Sequence, residues 1–299
     1  MSVTPVSAEP AAHVLREPTP EYPWINDLKY YLKPDWQELV DGEFVSGVVN
    51  GTWPVQAMRG WILQLYPFIH AFPKFLAEAL LKVEDEHARS FLIDNIRVEK
   101  AHAEHWLWMG EGFGVTPREM LALAEGDRAV LRDVQSLSDW LWYINAKGSL
   151  AEAVAATSFA IEGAAGDLSL ALLKGFEAYR LREGVTINTR TTKWARNHAK
   201  YDDAHPRIAL QIVGRYATQE RTRMKVMAAA RRSLQLLNLA LLSAARAFSG
   251  ESLGLAPHGI MVRNSGDRRQ SQQPIHFPDR RIVDRRKGAV SDAELLRLA

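Results

Sequence analysis

The chain contains no cysteine. Disulfides, thiolate zinc sites and cysteine nucleophiles are therefore excluded, and any metal must be held by His, Asp and Glu. Runs of β-branched residues bounded by turns are scarce, which argues against sheets. Glycine and proline concentrate towards the two ends. No apolar run is long enough to cross a bilayer: the most apolar stretch, around residues 234–242, contains Gln235 and Asn238 and is flanked by Arg231, Arg232 and Arg246. The first 24 residues have neither the basic start nor the apolar core of a signal peptide, and they hold five prolines. A net charge of +2 selects no class of partner. A soluble, cytoplasmic chain is the expectation.

What is present is alanine, leucine and helical spacing. A chain of 299 residues can form one domain of about 200–250 residues with tails, large enough to bury a substantial core. The expected organisation is a Pro-rich disordered arm over 1–32, an all-α domain over 33–249, and a basic, largely disordered tail over 250–299. Asp35 reads as the N-cap of a first helix that stops at Asn50-Gly51. From Thr52 or Pro54 a long aromatic helix should run through Pro67 and Pro73, kinked but unbroken because the apolar spacing continues past both. A third helix ends at Gly112 and Gly114, and Thr116-Pro117 opens a short fourth, over 117–124. A fifth spans about 128–145. Lys147-Gly148-Ser149 then punctuates, before an Ala-rich helix apolar on nearly all sides and hence buried. A polar helix over 190–205 and a final helix over 208–248, stopped by Gly250, complete the domain. In the tail, residues 263–287 carry seven Arg and one Lys against three Asp, a net of +5. This stretch is either a solubilising tail or an electrostatic handle for an acidic partner, and no nucleic-acid-binding motif accompanies it.

Three helices carry polar groups where a core belongs. On the polar helix, His198, Asp202 and His205 sit at offsets of four and seven, so on one continuous helix two imidazoles and a carboxylate share a face. Glu99 and His102 form a Glu-x-x-His pair, the arrangement four-helix di-iron proteins use, and His105 follows as a fallback ligand. Glu162 lies among small apolar residues, where an ionised carboxylate needs a cation, a proton or a metal. Glu99, His102, Glu162, His198, Asp202 and His205 together match the needs of two ions bridged by carboxylate with positions left open for oxygen. His70 and His87 read as surface or packing residues. Trp61, Tyr66, Phe68, Phe72, Trp106 and Trp108 read as core that in part lines a substrate cavity.

The segments LYPFIHAFPKFL, ARSFLIDNIRVEKAH, GEGFGVTPREML, GSLAEAVAATSFAIEG and HAKYDDAH resemble the heme-oxygenase-like di-iron oxidases and oxygenases. That group includes a para-aminobenzoate synthase and an undecene-forming fatty-acid decarboxylase. The resemblance covers about residues 33–249. It implies a seven-helix bundle shared with TenA thiaminases and pyrroloquinoline quinone synthase, and two iron ions, with Fe/Fe and Mn/Fe both open. It also implies O2 as co-substrate, a small organic substrate and room for an external electron donor. The family's two glutamates fall on Glu99 and Glu162, and its His-x3-Asp-x2-His triplet on His198, Asp202 and His205. Its remaining histidine falls on His102, at a spacing closer to the decarboxylase branch. Glu99, Glu162, His198 and Asp202 are implied as the catalytic set. The lysine and tyrosine implicated in the self-sacrificing reaction of the para-aminobenzoate branch are replaced by Leu172 and, near the second position, Val45; Tyr66 or Tyr201 is left as a nearby phenol.

Two other readings stand beside this one. The first is a metal-free oxidase of cofactor biosynthesis resembling pyrroloquinoline quinone synthase, with His and Asp as acid and base. The second is a helical regulatory or interaction protein that uses the basic tail. A thiaminase is disfavoured because its expected cysteine nucleophile is missing. The amphipathic last helix is compatible with a homodimer.

Overall fold

The computed structural model describes residue 15 and residues 19–126, 128–201 and 205–250, and every regular element among them is helical. Helix α1, Trp24–Asp41, buries Ile25, Leu28, Leu32, Trp36 and Leu39, a three-and-four spacing that turns one face to the core. It starts ahead of the expected boundary at 33 and runs through Pro34. Asp35 is consequently an interior residue, not an N-cap. Its carboxylate instead receives hydrogen bonds from Arg231 Nε at 2.8 Å and Gln235 Nε2 at 2.9 Å. The chain breaks at Gly42, where any Cβ would strike the Glu38 carbonyl oxygen, and resumes as α2, Glu43–Val49.

Helix α3, Val55–Leu80, carries both prolines inside it, as its unbroken apolar spacing requires. Helix α4, Glu86–Gly112, begins at Asp85, whose side chain accepts from the Ala88 amide. Helix α5, Pro117–Ala124, opens with a capping box between Thr116 and Glu119. Helix α6 spans Arg132–Lys147. Ser149 and Glu152 form a second capping box at the start of α7, Leu150–Val154. The chain then passes through a π-helical stretch, Ala155–Ile161, directly into α8, Glu162–Phe176. Residues 153–169 are buried without exception, as their Ala-rich composition predicts.

In the polar segment the described residues form α9, Lys193–Tyr201, and α10, His205–Tyr216, with residues 202–204 outside the described residues. The expected last helix is split by residues 217–219, so α11 is Glu220–Arg246. The described residues thus hold more helical segments than the seven expected. Helix α3 lies along α4 and α6, α11 covers the π-helical stretch and α6, and α9 fits between α8 and α4. No helix among the described residues is long and apolar enough to cross a membrane. The arm before residue 15 and the tail from 251 onward lie outside the described residues.

Candidate metal centre

Four helices bring donor side chains to one buried point. Helix α4 supplies Glu99 and His102, α8 supplies Glu162 as its first residue, α9 supplies His198, and α10 supplies His205, again as its first residue. Glu99, His102, Glu162, His198 and His205 line one small cavity, closed on one side by Pro206. Ligand atoms of Glu99, His102 and His198 all lie within 4.8 Å of one another, and the rings of His102 and His198 are 4.1 Å apart between centroids. Glu162 takes hydrogen bonds from Asn95 Nδ2 at 2.8 and 2.9 Å, one to each oxygen. His205 Nδ1 stands 3.8 Å from Glu162 Oε2, at ion-pair distance.

The His198 imidazole is oriented from outside the donor set. His198 Nδ1 is 3.1 Å from the Trp194 carbonyl oxygen, one turn back on α9, so it carries the proton and leaves Nε2 as the donor atom. His102 Nδ1 faces Glu99 Oε1 at 2.8 Å. Burial pushes the carboxyl groups of Glu99 and Glu162 up to about 7. For Glu99 the nearby imidazoles of His198 and His205 oppose the shift; for Glu162 the largest opposing influence is His205. Burial also pulls His102 down to about 4 and His198 down to about 3, with neighbouring imidazoles adding to both. His205 moves the other way, raised chiefly by the Glu162 carboxylate. At neutral pH, therefore, His102 and His198 are uncharged and hold lone pairs, the state a metal requires.

Of the other sequence candidates, His105 is buried but stacked towards Trp108, with ring centroids 4.9 Å apart, and its ligand atoms do not join those of Glu99 and His198. His70 and His87 are exposed, and the Tyr66 hydroxyl points to His70 at 3.5 Å. Leu172 and Val45 are buried in the apolar core. Asp202 and the Tyr201 side chain lie outside the described residues. Sequence reading passed over Asn95. The signal available was a polar side chain one turn before Glu99 on the same helix face.

Beside the donors lies an apolar cavity of about 40 Å³, walled by Trp61, Phe68, Phe72, Trp106, Leu237 and Leu241 and reaching Glu99, Glu162 and His198. Aromatic contacts continue from it to the centre: Trp106 meets Trp194 at 4.8 Å and Trp194 meets His198 at 4.1 Å between ring centroids.

Residues 59–238 match the family model of iron-containing redox enzymes, a span that holds every donor named above. The chain belongs to that family. Its fold is that of a TenA homologue from Pseudomonas syringae pv. tomato str. DC3000, with a TM-score of 0.68 and 27% identity over 78% of this chain and 96% of that one. A domain of unknown function with a heme oxygenase-like fold from Shewanella denitrificans OS217 gives a TM-score of 0.62 at 16% identity, over 75% and 93% of the two chains. A TenA-like thiaminase from Sulfolobus solfataricus P2 gives 0.58 at 12% identity, over 75% and 96%. The fold is thus TenA-like and heme-oxygenase-like, as the sequence resemblance implied. No curated protein matches the chain significantly.

The donor set fits the metal that the family's description names. The ion pairs formed by Glu99 and Glu162 among the described residues are with His102 and His205 only, and His102 is uncharged at neutral pH. Two buried carboxylates with so little positive charge beside them are costly unless protonated or met by a cation. Mixed imidazole and carboxylate donors without sulfur suit iron, manganese or zinc, and the family's description names iron.

Proposed function

We propose that this protein is an O2-dependent non-heme diiron oxidoreductase that oxidises a small organic substrate. The observation that carries the reading is the convergence of Glu99, His102, Glu162, His198 and His205, from four helices, on one buried cavity. Asp202 is retained as the sixth ligand on the strength of its place in the His-x3-Asp-x2-His triplet. Iron, or a manganese–iron pair, held here would supply O2 binding and one-electron redox chemistry that side chains lack.

The chain's own residues prepare the site. His102 and His198 offer neutral imidazole donors. Glu99 and Glu162, poised near 7, can hold a proton in the empty site and release it when a cation arrives. Glu99 and Glu162 would hold the metal together with these imidazoles. The walls of Trp61, Phe68, Phe72 and Trp106 exclude water from the reacting face of the cavity. That lining selects a substrate whose reacting portion is hydrocarbon in character, since Glu99, Glu162 and His198 are the polar side chains it meets. A cavity of about 40 Å³ is small beside the several hundred Å³ of usual ligand pockets, so side chains must move to admit such a substrate. Any electrons not drawn from the substrate come from an external donor, and a reducing cytoplasm would keep ferrous iron available.

Anaerobic loading with Fe(II), followed by metal analysis of the desalted protein, tests the proposal. Two irons per chain are expected, with His198→Ala and Glu162→Ala each failing to retain them. A folded parent chain that retains no iron would sink the oxidase reading, and activity surviving exhaustive chelation would favour the metal-free alternative.

A further inference from the structure

Asn95 lies on α4 one turn before Glu99 and is 0% exposed. Its single amide nitrogen reaches both oxygens of Glu162, a residue on a different helix, at 2.8 and 2.9 Å. Sharing one NH2 group between both oxygens sets the plane of the carboxylate as well as its position. In the orientation present, Asn95 Oδ1 is buried and accepts no hydrogen bond among the described residues. Leaving a carbonyl so placed is costly. A leucine of nearly the same shape would fill the space without that cost, so packing does not account for an amide here.

The place of Glu162 in the chain bears on this tie. It directly follows the π-helical stretch Ala155–Ile161, where the backbone departs from α-helical register, a feature frequent at functional sites. His205 Nδ1, at 3.8 Å, is a looser contact. Asn95 reaches across from the helix that carries Glu99 and His102, and so references the carboxylate of α8 to the other half of the donor set.

We propose that Asn95 is a positioning residue, which donates to both oxygens of Glu162 and thereby aims that carboxylate at the cavity shared with Glu99, His102 and His198. The inference rests on the metal-centre reading and extends it, since Asn95 acts on a metal only through Glu162.

Anaerobic Co(II) titration of the metal-free chain, followed by its visible d–d spectrum, provides a readout that is independent of turnover. Asn95→Leu keeps the volume and removes both donors. It is expected to bind Co(II) ten- to a hundredfold more weakly than the parent, with d–d bands changed in position or intensity and the helical circular dichroism unchanged. Asn95→Asp, which keeps the shape but cannot donate when ionised, carries the same expectation should the leucine variant fail to fold. A second measurement needs no metal: in denaturant unfolding, the Asn95→Leu and Glu162→Leu effects should be non-additive by several-fold in the unfolding equilibrium constant. Additive effects, or Asn95 variants that match the parent in Co(II) affinity and spectrum, overturn the inference while leaving the metal centre standing. A parent chain that takes up neither Co(II) nor Fe(II) overturns the metal-centre reading and the role of Asn95 with it.

Discussion

Burial holds Glu99 and Glu162 near 7, against an ordinary 4.5, and holds His102 and His198 near 4 and 3, against an ordinary 6.5. Between pH 4.5 and 7 the folded, metal-free chain binds more protons on the two carboxyls than the unfolded chain does, so their contribution to stability falls as pH rises through that window. The two imidazoles act oppositely: from about 3–4 up to 6.5 the unfolded chain binds more protons on them, and their contribution rises with pH. For these four groups, metal-free stability should be level between about pH 4.5 and 6.5, lower towards pH 3, and lower again above about 7. Thermal unfolding across pH, compared with a His198→Ala, Glu99→Gln double variant, measures this. A metal must displace the carboxyl protons. Its apparent affinity should therefore climb steeply with pH up to about 7, by as much as a hundredfold per pH unit when two protons leave, and level off above it. Competition against a chelator of known affinity, repeated across pH, reads that slope. Glu162→Gln removes a buried charge while keeping its shape. At pH 8 it should stabilise the metal-free protein by about 1–3 kcal/mol and weaken metal binding strongly, the opposite signs expected of a site held in the fold for function.

Among the elements, the π-helical stretch and the segment around α9 matter most. Helices α7 and α8 read as one Ala-rich helix in the sequence, and in space they are continuous. The change to π-helix between them was not legible, because Ala, Ser and Thr spacing carries no mark of an i to i+5 bond. Pro206 is the second described residue of α10. Reading residues 190–205 as one helix put His198 and His205 on a common face, and in the structure both line the same small cavity. Next to Glu162, a Cβ on Gly163 would come within 2.9 Å of the buried Trp36 ring and 3.5 Å of Pro206. Gly163→Ala should therefore destabilise the chain by about 1–3 kcal/mol in urea unfolding, with metal affinity lowered as α8 shifts away from α1 and α10. A stability unchanged within a few tenths of a kcal/mol would show that α8 moves freely there.

For the whole molecule, a metal held by side chains from several helices would tie its occupancy to global stability. A metal at a hundred times its dissociation constant adds about 2.7 kcal/mol to unfolding, and calorimetry of metal-loaded against chelated protein should show the corresponding rise in Tm. The donors named among the described residues all precede Gly250. A chain truncated after Gly250 is expected to retain iron at the parent's stoichiometry, and loss of iron on truncation would favour a role for the basic tail in the centre itself. The aromatic wall of α3 and the leucines of α11 meet the donors from the opposite side of the bundle, which is how a helical fold of this size can surround polar ligands with apolar surface.

By itself the sequence determined the helical class, the absence of any sulfur ligand, and which ionisable residues were candidates for a buried cluster. Glu99, Glu162 and His198 stand out in it because ionisable groups among alanines, leucines and aromatics need partners. Capping boxes at Thr116 and Ser149, and the passage of α3 through two prolines, were likewise local matters of hydrogen bonding and spacing. Only the tertiary structure decided that α1 begins at Trp24, that His102 rather than His105 meets Glu99 and His198, and that Asn95 holds Glu162. Those choices depend on the rotation of α4 against α8 and α9. Side-chain packing between helices far apart in the chain sets that rotation, and helical periodicity along any one of them leaves it open.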